Sequence, residues 1–292
     1  GYNSALSLQS WYSALYLQDD FKVTRRLMLN LGLRWELEIP QTERFDRIAY
    51  GMDPNYELPL KVPGLPPLRG AILFVNTDGR GRRQGETDYN NFGPRFGFAY
   101  QIGGNTALRG GYGLYYASGL SNISPGTVSV NALGSQPAFN TLSRIPANNS
   151  SDGGRTPLTT IQNPFPNGIS RPTGNALGPL SEVGNSISYA NPFRVIPYNQ
   201  QWQFSMQRVI GWNTMVDVGY VGAHALKQFN DYNWNERSDV WLREGTEEFT
   251  QIPNPFWGVF PATSTLGGSR TIAQGRLWYP FPQFNQVNVF GM

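Results

Sequence analysis

The chain has 292 residues, carries a net charge of +3, and is 15% charged and 14% aromatic, with 33 Gly, 22 Pro and no Cys. Helical bundles and coiled coils need far more Ala, Glu and Lys and far less Gly and Pro, while disulfide scaffolds and Cys-ligated zinc sites need cysteine. A density of Trp, Tyr and Phe this high argues against disorder, and a charge this small argues against nucleic acid as a partner, so an all-β chain is left.

The lysines are only Lys22, Lys61 and Lys227, and every other basic residue is Arg. Two explanations stand side by side: GC-rich coding, or a preference for phosphate or carboxylate, which suit the guanidinium fork. No run reaches the roughly 18 apolar residues of a membrane-spanning helix. The N-terminal Gly1-Tyr2-Asn3-Ser4 has no leader-like pattern, and the chain reads as cut at both ends.

The first element is a strand from Trp11 to Val23, followed by a short turn at Thr24-Arg25-Arg26. From Leu27 to Ile39 every odd position is apolar: Leu27, Leu29, Leu31, Leu33, Trp35, Leu37 and Ile39. That period of two gives one apolar and one polar face. The strand is long for a soluble domain and suits a tilted membrane span of roughly 9–11 residues plus extensions. Pairing across the turn sets Leu17 opposite Leu33, Leu15 opposite Trp35 and Ser13 opposite Leu37. It also places Asp19 on the apolar face near the turn, where a charge costs about 0–1 kcal/mol.

A second hairpin follows over 90–117. Phe92, Phe96, Phe98 and Tyr100 alternate with Gly93, Arg95, Gly97 and Gln101, and the turn is Gly103-Gly104-Asn105. The return strand puts Leu108, Gly110, Tyr112 and Leu114 on the apolar face and Arg109, Gly111 and Gly113 on the other. Pro94 lacks an N–H and is expected at a bulge or strand mouth. A third hairpin spans 199–222: Trp202, Phe204 and Met206 alternate with Gln201, Gln203 and Gln207, a turn falls around Ile210–Asn213, and Val216, Val218 and Tyr220 alternate with Asp217 and Gly219. Residues 285–292 are expected to begin a seventh strand.

Turns within hairpins are short, whereas the connections 40–89, 118–198 and 223–284 are long. Short turns on one rim and long loops on the other are the pattern of outer-membrane barrels. Trp11, Trp35, Tyr100, Tyr116, Trp202 and Tyr220 fall toward strand ends, as aromatic girdles do. The expected fold is therefore all-β: an antiparallel up-and-down transmembrane β-barrel, partial, with six or seven strands and long extracellular loops.

The loops repeat Asn-Pro-Phe at Asn163-Pro164-Phe165, Asn191-Pro192-Phe193 and Asn254-Pro255-Phe256, read as packed turns. Aromatics crowd the last loop, and Phe256, Trp257, Trp278 and Tyr279 are candidates for stacking on a ligand or for forming the loop's own small core. Asp78 to Arg83 is a basic loop, read first as a solvated loop and otherwise as one that could meet lipopolysaccharide phosphates or an anionic ligand. Asn122, Asn148 and Asn149 begin sequons that matter only on a glycosylating route.

No chemistry is legible. His224 is the single histidine, no Gly-x-Ser-x-Gly elbow or phosphate loop occurs, and carboxylate pairs such as Asp19/Asp20 lack a calcium-loop pattern. The expectation is no enzyme and no cofactor, with His224 solvated where a strand leaves the membrane.

Tyr16-Leu17-Gln18-Asp19-Asp20-Phe21-Lys22-Val23-Thr24 running into Leu29-Asn30-Leu31-Gly32-Leu33-Arg34-Trp35-Glu36 resembles the barrel of TonB-dependent outer-membrane receptors, the Oar-like subgroup in particular. Phe92 to Tyr100, Leu108 to Gly113, Tyr198 to Trp202 and Asp217 to Gly222 carry the same resemblance. It implies a barrel of roughly 22 strands plugged by an N-terminal domain. It also implies active uptake of a large or scarce ligand, driven by the inner-membrane TonB complex, in the bacterial outer membrane. Plug and TonB box are not in this sequence, so the chain reads as a slice of such a receptor, contacting outer-membrane lipid and lipopolysaccharide. Its lumen would be lined by Arg34, Glu36, Arg95, Gln101, Arg109, Gln201, Gln203 and Asp217. A passive porin, a protein-export or adhesion barrel, and a soluble carbohydrate-binding β protein are the alternatives.

Overall fold

The structure is a computed structural model that describes residues 7–117, 155–157, 159–166, 168–169, 171–238 and 245–291. The sequons at Asn122, Asn148 and Asn149 lie outside the described residues. In chain order the strands are β1 (Leu8–Lys22), β2 (Leu27–Glu43), β3 (Ala49–Glu57), β4 (Arg69–Phe74), β5 (Asp88–Ile102), β6 (Thr106–Tyr116), β7 (Ile187–Ala190), β8 (Tyr198–Gly211), β9 (Thr214–Leu226), β10 (Tyr232–Asn233), β11 (Gln251–Pro253), β12 (Thr271–Ala273) and β13 (Val287–Phe290). Among the described residues there is no α-helix.

Six long strands form one antiparallel sheet in the order β1-β2-β5-β6-β8-β9. This wall is the three hairpins joined edge to edge, and it is open: β1 and β9 are each paired on one side only. The first hairpin has the expected register, with Leu17 opposite Leu33, Leu15 opposite Trp35 and Ser13 opposite Leu37. Its turn is closed by Thr24, whose Oγ1 accepts from the backbone N–H groups of Arg26 (3.1 Å) and Leu27 (3.0 Å). The third turn is the two-residue Trp212-Asn213, with φ of 48° and 54°. Positive φ at both central residues is the turn whose twist matches the flanking strands. Trp212 is 99% exposed at this tip.

Pro94 sits inside β5 opposite Leu33, one residue beyond Arg95↔Gly113, where the β5–β6 ladder ends. It thus lies at the mouth of that ladder, with no bulge at its own position. On the apolar face the Phe98 ring lies over Gly110 and the Trp202 ring over Gly222, each its cross-strand partner. The aromatic ring covers the backbone that a glycine leaves bare.

Residues 287–290 do form a strand, but not a seventh wall strand. β13 pairs in parallel with β7 and antiparallel with β10 in a separate three-stranded sheet. The reason is that the long connections fold together into a body of their own. The β3–β4 hairpin contributes Ala49, Met52, Ala71, Ile72 and Phe74 to one core, and the later loops contribute Ile187, Tyr189, Phe256, Phe260, Phe284 and Val287. No wall strand supplies a residue to that core. The wall instead leaves its apolar side chains bare, among them Leu15, Leu17, Phe21, Leu31, Phe96, Phe204, Val218 and Tyr220.

Buried amides hold the loop body together. Asn235 Nδ2 donates to the carbonyls of Phe281 (3.0 Å) and Phe284 (2.8 Å), and its Oδ1 accepts from Phe281 N. Gln283 Nε2 reaches back to Arg69 O (2.6 Å). The body is fastened to the wall at the upper end of β2, where the buried Glu43 carboxylate accepts from the N–H groups of Ser7, Phe45 and Arg47. The backbone of Glu86 donates to Pro192 O (2.8 Å) beside this junction.

Gly85 has φ +119°, and a Cβ there would stand 2.6 Å from Pro192 O. Gly85→Ala is expected to cost about 1–3 kcal/mol, because it combines a forbidden φ with a backbone collision. Limited proteolysis of the refolded protein should show faster cleavage in the long loops while the wall stays protected. Unchanged loop cleavage would contradict this account.

Candidate functional site

The wall register sorts every long-strand residue onto one of two faces. One face carries Asp19, Leu31, Phe96, Tyr112 and Trp202 in a single row across five strands. The next row is Phe21, Leu29, Phe98, Gly110, Phe204 and Tyr220. The opposite face is polar. Gln18, Gly32, Arg95, Gly113 and Gln201 make one row, and Asp20, Asn30, Gly97, Gly111 and Gln203 the next. Lys22, Met28, Ala99, Arg109 and Ser205 form a third. The residues read from the sequence as lumen-facing, Arg34, Glu36, Arg95, Gln101, Arg109, Gln201, Gln203 and Asp217, all share this polar face by register.

Near the long-loop end, Arg34 Nε donates to Glu36 Oε1 at 2.8 Å, Tyr12 OH donates to Glu36 Oε2 at 2.5 Å, and Arg34 Nη2 donates to Tyr12 OH at 3.1 Å. Lower down, Asn30 Nδ2 donates to Asp20 (2.5 Å) and Gln207 Nε2 to Asp217 (2.8 Å). The Arg95 guanidinium stacks 4.8 Å above the Tyr115 ring. Tyr12 and Asp20 are members of this face that sequence reasoning did not name, and Asn30 and Tyr115 belong to it by the same period of two. The parity of their strands was the available signal. His224 lies exposed on β9 opposite Gln200, and no acid or nucleophile is bonded to it among the described residues.

The four loop aromatics do not converge on one surface. Phe256 is fully buried and stacked on Phe260 (4.5 Å), so it packs the loop core. Trp257 is exposed, with the Arg270 guanidinium 5.6 Å over its ring. Tyr279 lies under Arg276 (4.3 Å) and Arg237 (5.5 Å), and Arg237 is ion-paired with Glu248. Trp278 is half-buried. In the basic loop, Arg80 binds Asp78, and Arg82 binds Asp46 and the carbonyls of Glu43 and Arg44. These two cations close their own loop. Two Asn-Pro-Phe turns share one geometry, in which the Asn Oδ1 accepts from the Phe N–H at 3.0 Å, at Asn191 and at Asn254. Their phenylalanines differ: Phe256 is buried, and Phe193 is 70% exposed.

A wall that is bare and apolar on one side, hydrogen-bonded and polar on the other, with tight turns at one rim and long loops at the other, defines a β-barrel membrane protein. The model of the outer membrane beta barrel domain matches residues 2–291, and the chain belongs to that family. Its place is the bacterial outer membrane. No curated protein and no solved structure matches the chain.

Burial sets the titration of the loop body. It pushes the Tyr189 hydroxyl and the Glu182 carboxyl up, the latter partly offset by the Asn185 amide. It pushes Arg194 down, which the nearby Glu38 charge counters. Because Glu182 holds its proton more tightly folded than unfolded, stability falls as pH rises from the ordinary carboxylate range through the raised folded value. Glu182→Gln should therefore raise the urea midpoint of the loop body at neutral pH. The gain should shrink to nothing below the ordinary carboxylate range, as read by near-UV circular dichroism. An equal midpoint at neutral pH would refute this assignment.

Proposed function

We propose that the chain is a wall-and-loop segment of a TonB-dependent outer-membrane receptor of the Oar-like type, which takes up a large or scarce ligand. The observation that carries this reading is the division of labour in the chain: a transmembrane wall with tight turns at one rim, and at the other loops that fold into a body with its own core. A passive pore has no need of such a body, whereas a receptor needs a shaped outer surface to capture its ligand before admission. The motifs of β1 and β2, from Tyr16 to Glu36, support the same family of receptors.

In this reading the apolar face meets lipid, the polar face lines the lumen, and the loop body faces outward beside lipopolysaccharide. The open edges at β1 and β9 pair with further strands of a larger barrel, since unpaired backbone cannot stand in lipid. TonB reaches the receptor through a region that precedes this sequence, and plug movement admits the ligand. No catalytic step and no cofactor belong to this mechanism.

The test uses the full-length protein. It is expected to migrate faster unheated than boiled in detergent gels, to bind the periplasmic domain of TonB, and to stay electrically closed in planar bilayers without it. Steady open conductance together with no TonB binding would identify a passive porin and overturn the proposal.

A further inference from the structure

The polar face carries a depression of about 540 Å³ in the middle of the wall. Gly97 and Gly111 face each other across β5 and β6 on its floor, so no side chain rises there. Amides lean in from both sides. Asn30 Oδ1 lies 3.3 Å from where a Cβ of Gly97 would stand, and Gln203 Nε2 lies 3.8 Å from that of Gly111. Arg95 borders the depression at one end and Arg109 at the other. By the register they are four β5 residues apart, roughly 13 Å along the strand.

A second depression of about 460 Å³ continues toward the short-turn rim and shares Ala99 and Arg109 with the first. Lys22, Arg25 and Arg26 line it. Charge accounting on this face is one-sided. Around the two depressions five cations, Arg95, Arg109, Lys22, Arg25 and Arg26, stand against the carboxylates of Asp20 and Asp217, which accept from the Asn30 and Gln207 amides and keep their charge, while Glu36 is ion-paired with Arg34. Among the described residues, Arg95, Arg109, Lys22, Arg25 and Arg26 take part in no ion pair. The Arg95 guanidinium carbon lies 4.8 Å over the Tyr115 ring, and Arg95 is exposed.

We propose that these cations form an anion-binding track, running from Arg95 through Arg109 to Lys22, Arg25 and Arg26. Its ligand is a small solute that carries carboxylate or phosphate groups. Spaced guanidinium forks pass such groups from one to the next, and a glycine floor lets the solute lie against the wall between them. Cations of one sign along a confined low-dielectric wall also raise the local anion concentration. The inference rests on the proposed lumenal placement of the polar face and not on energisation by TonB.

Citrate and inorganic pyrophosphate serve as probes, with maltose as the neutral control, titrated calorimetrically into the full-length protein in detergent. Both anions are expected to bind and maltose not, and rising salt should weaken binding. The double variant Arg95→Gln/Arg109→Gln should bind roughly tenfold or more weakly. Arg95→Lys/Arg109→Lys should keep part of the affinity, and Arg44→Gln in the loop body should change nothing. Absence of anion binding, or equal binding by the Gln double variant, overturns the track. Lumenal placement is read separately, by labelling with a membrane-impermeant maleimide in lipid vesicles. Gln203→Cys should react and Phe204→Cys should not; the reverse would sink the lumenal reading whatever the anions do.

Discussion

A bilayer has no water with which to satisfy a peptide group, and the wall is organised around that fact. Each long strand finds its hydrogen-bond partners in its neighbours, so residues with no N–H or no side chain must be placed with care. Pro94 lies just past the last β5–β6 pair, and Gly110 and Gly222 sit under aromatic rings from the adjacent strands. The same ladder forces the period of two. Once the strands are paired, the side chains have only two directions to go, and the apolar and polar sets separate into continuous faces.

The molecule is built for two solvents at once. In the wall the large apolar side chains are exposed on one face, and the core cluster holds none of them. In the loop body the same residue types point inward and are dry, as Phe256, Phe284 and Ile72 are. Buried amides take the place there of regular ladders. Asn235, Asn254 and Gln283 each bridge backbone groups far apart in the chain, which lets short strands and turns hold a fixed shape. Glu43 and Gln41 of β2 tie the two regions together at the rim, Glu43 accepting from Phe45 and Arg47 and Gln41 O from the Gln84 N–H.

Cations are used differently in the two regions. In the loop body they are spent locally: Arg82 on Asp46, Arg237 on Glu248, Arg270 over Trp257. On the polar face of the wall, below the Arg34–Glu36 pair, acids are hydrogen-bonded by amides rather than ion-paired, and Arg95 and Arg109 have no carboxylate partner among the described residues. Arg95 and Arg109 of this face both line the central depression.

Much of the wall was legible in the sequence, because what decides it is local. A hairpin with a short turn brings together residues close in the chain, so the Thr24–Arg26 turn and the odd-position leucines determined the pairing of Leu17 with Leu33 and the face of Arg34, Arg95, Arg109 and Asp217. The loop body was not legible in the same way. β13 chose β7, about a hundred residues away, over the wall edge; Phe256 went into a core that also holds Ile72; and Arg80 and Arg82 turned to their own loop. Those outcomes depend on which surfaces remain uncovered once distant segments have met. No local period records that, and only the tertiary structure decided it.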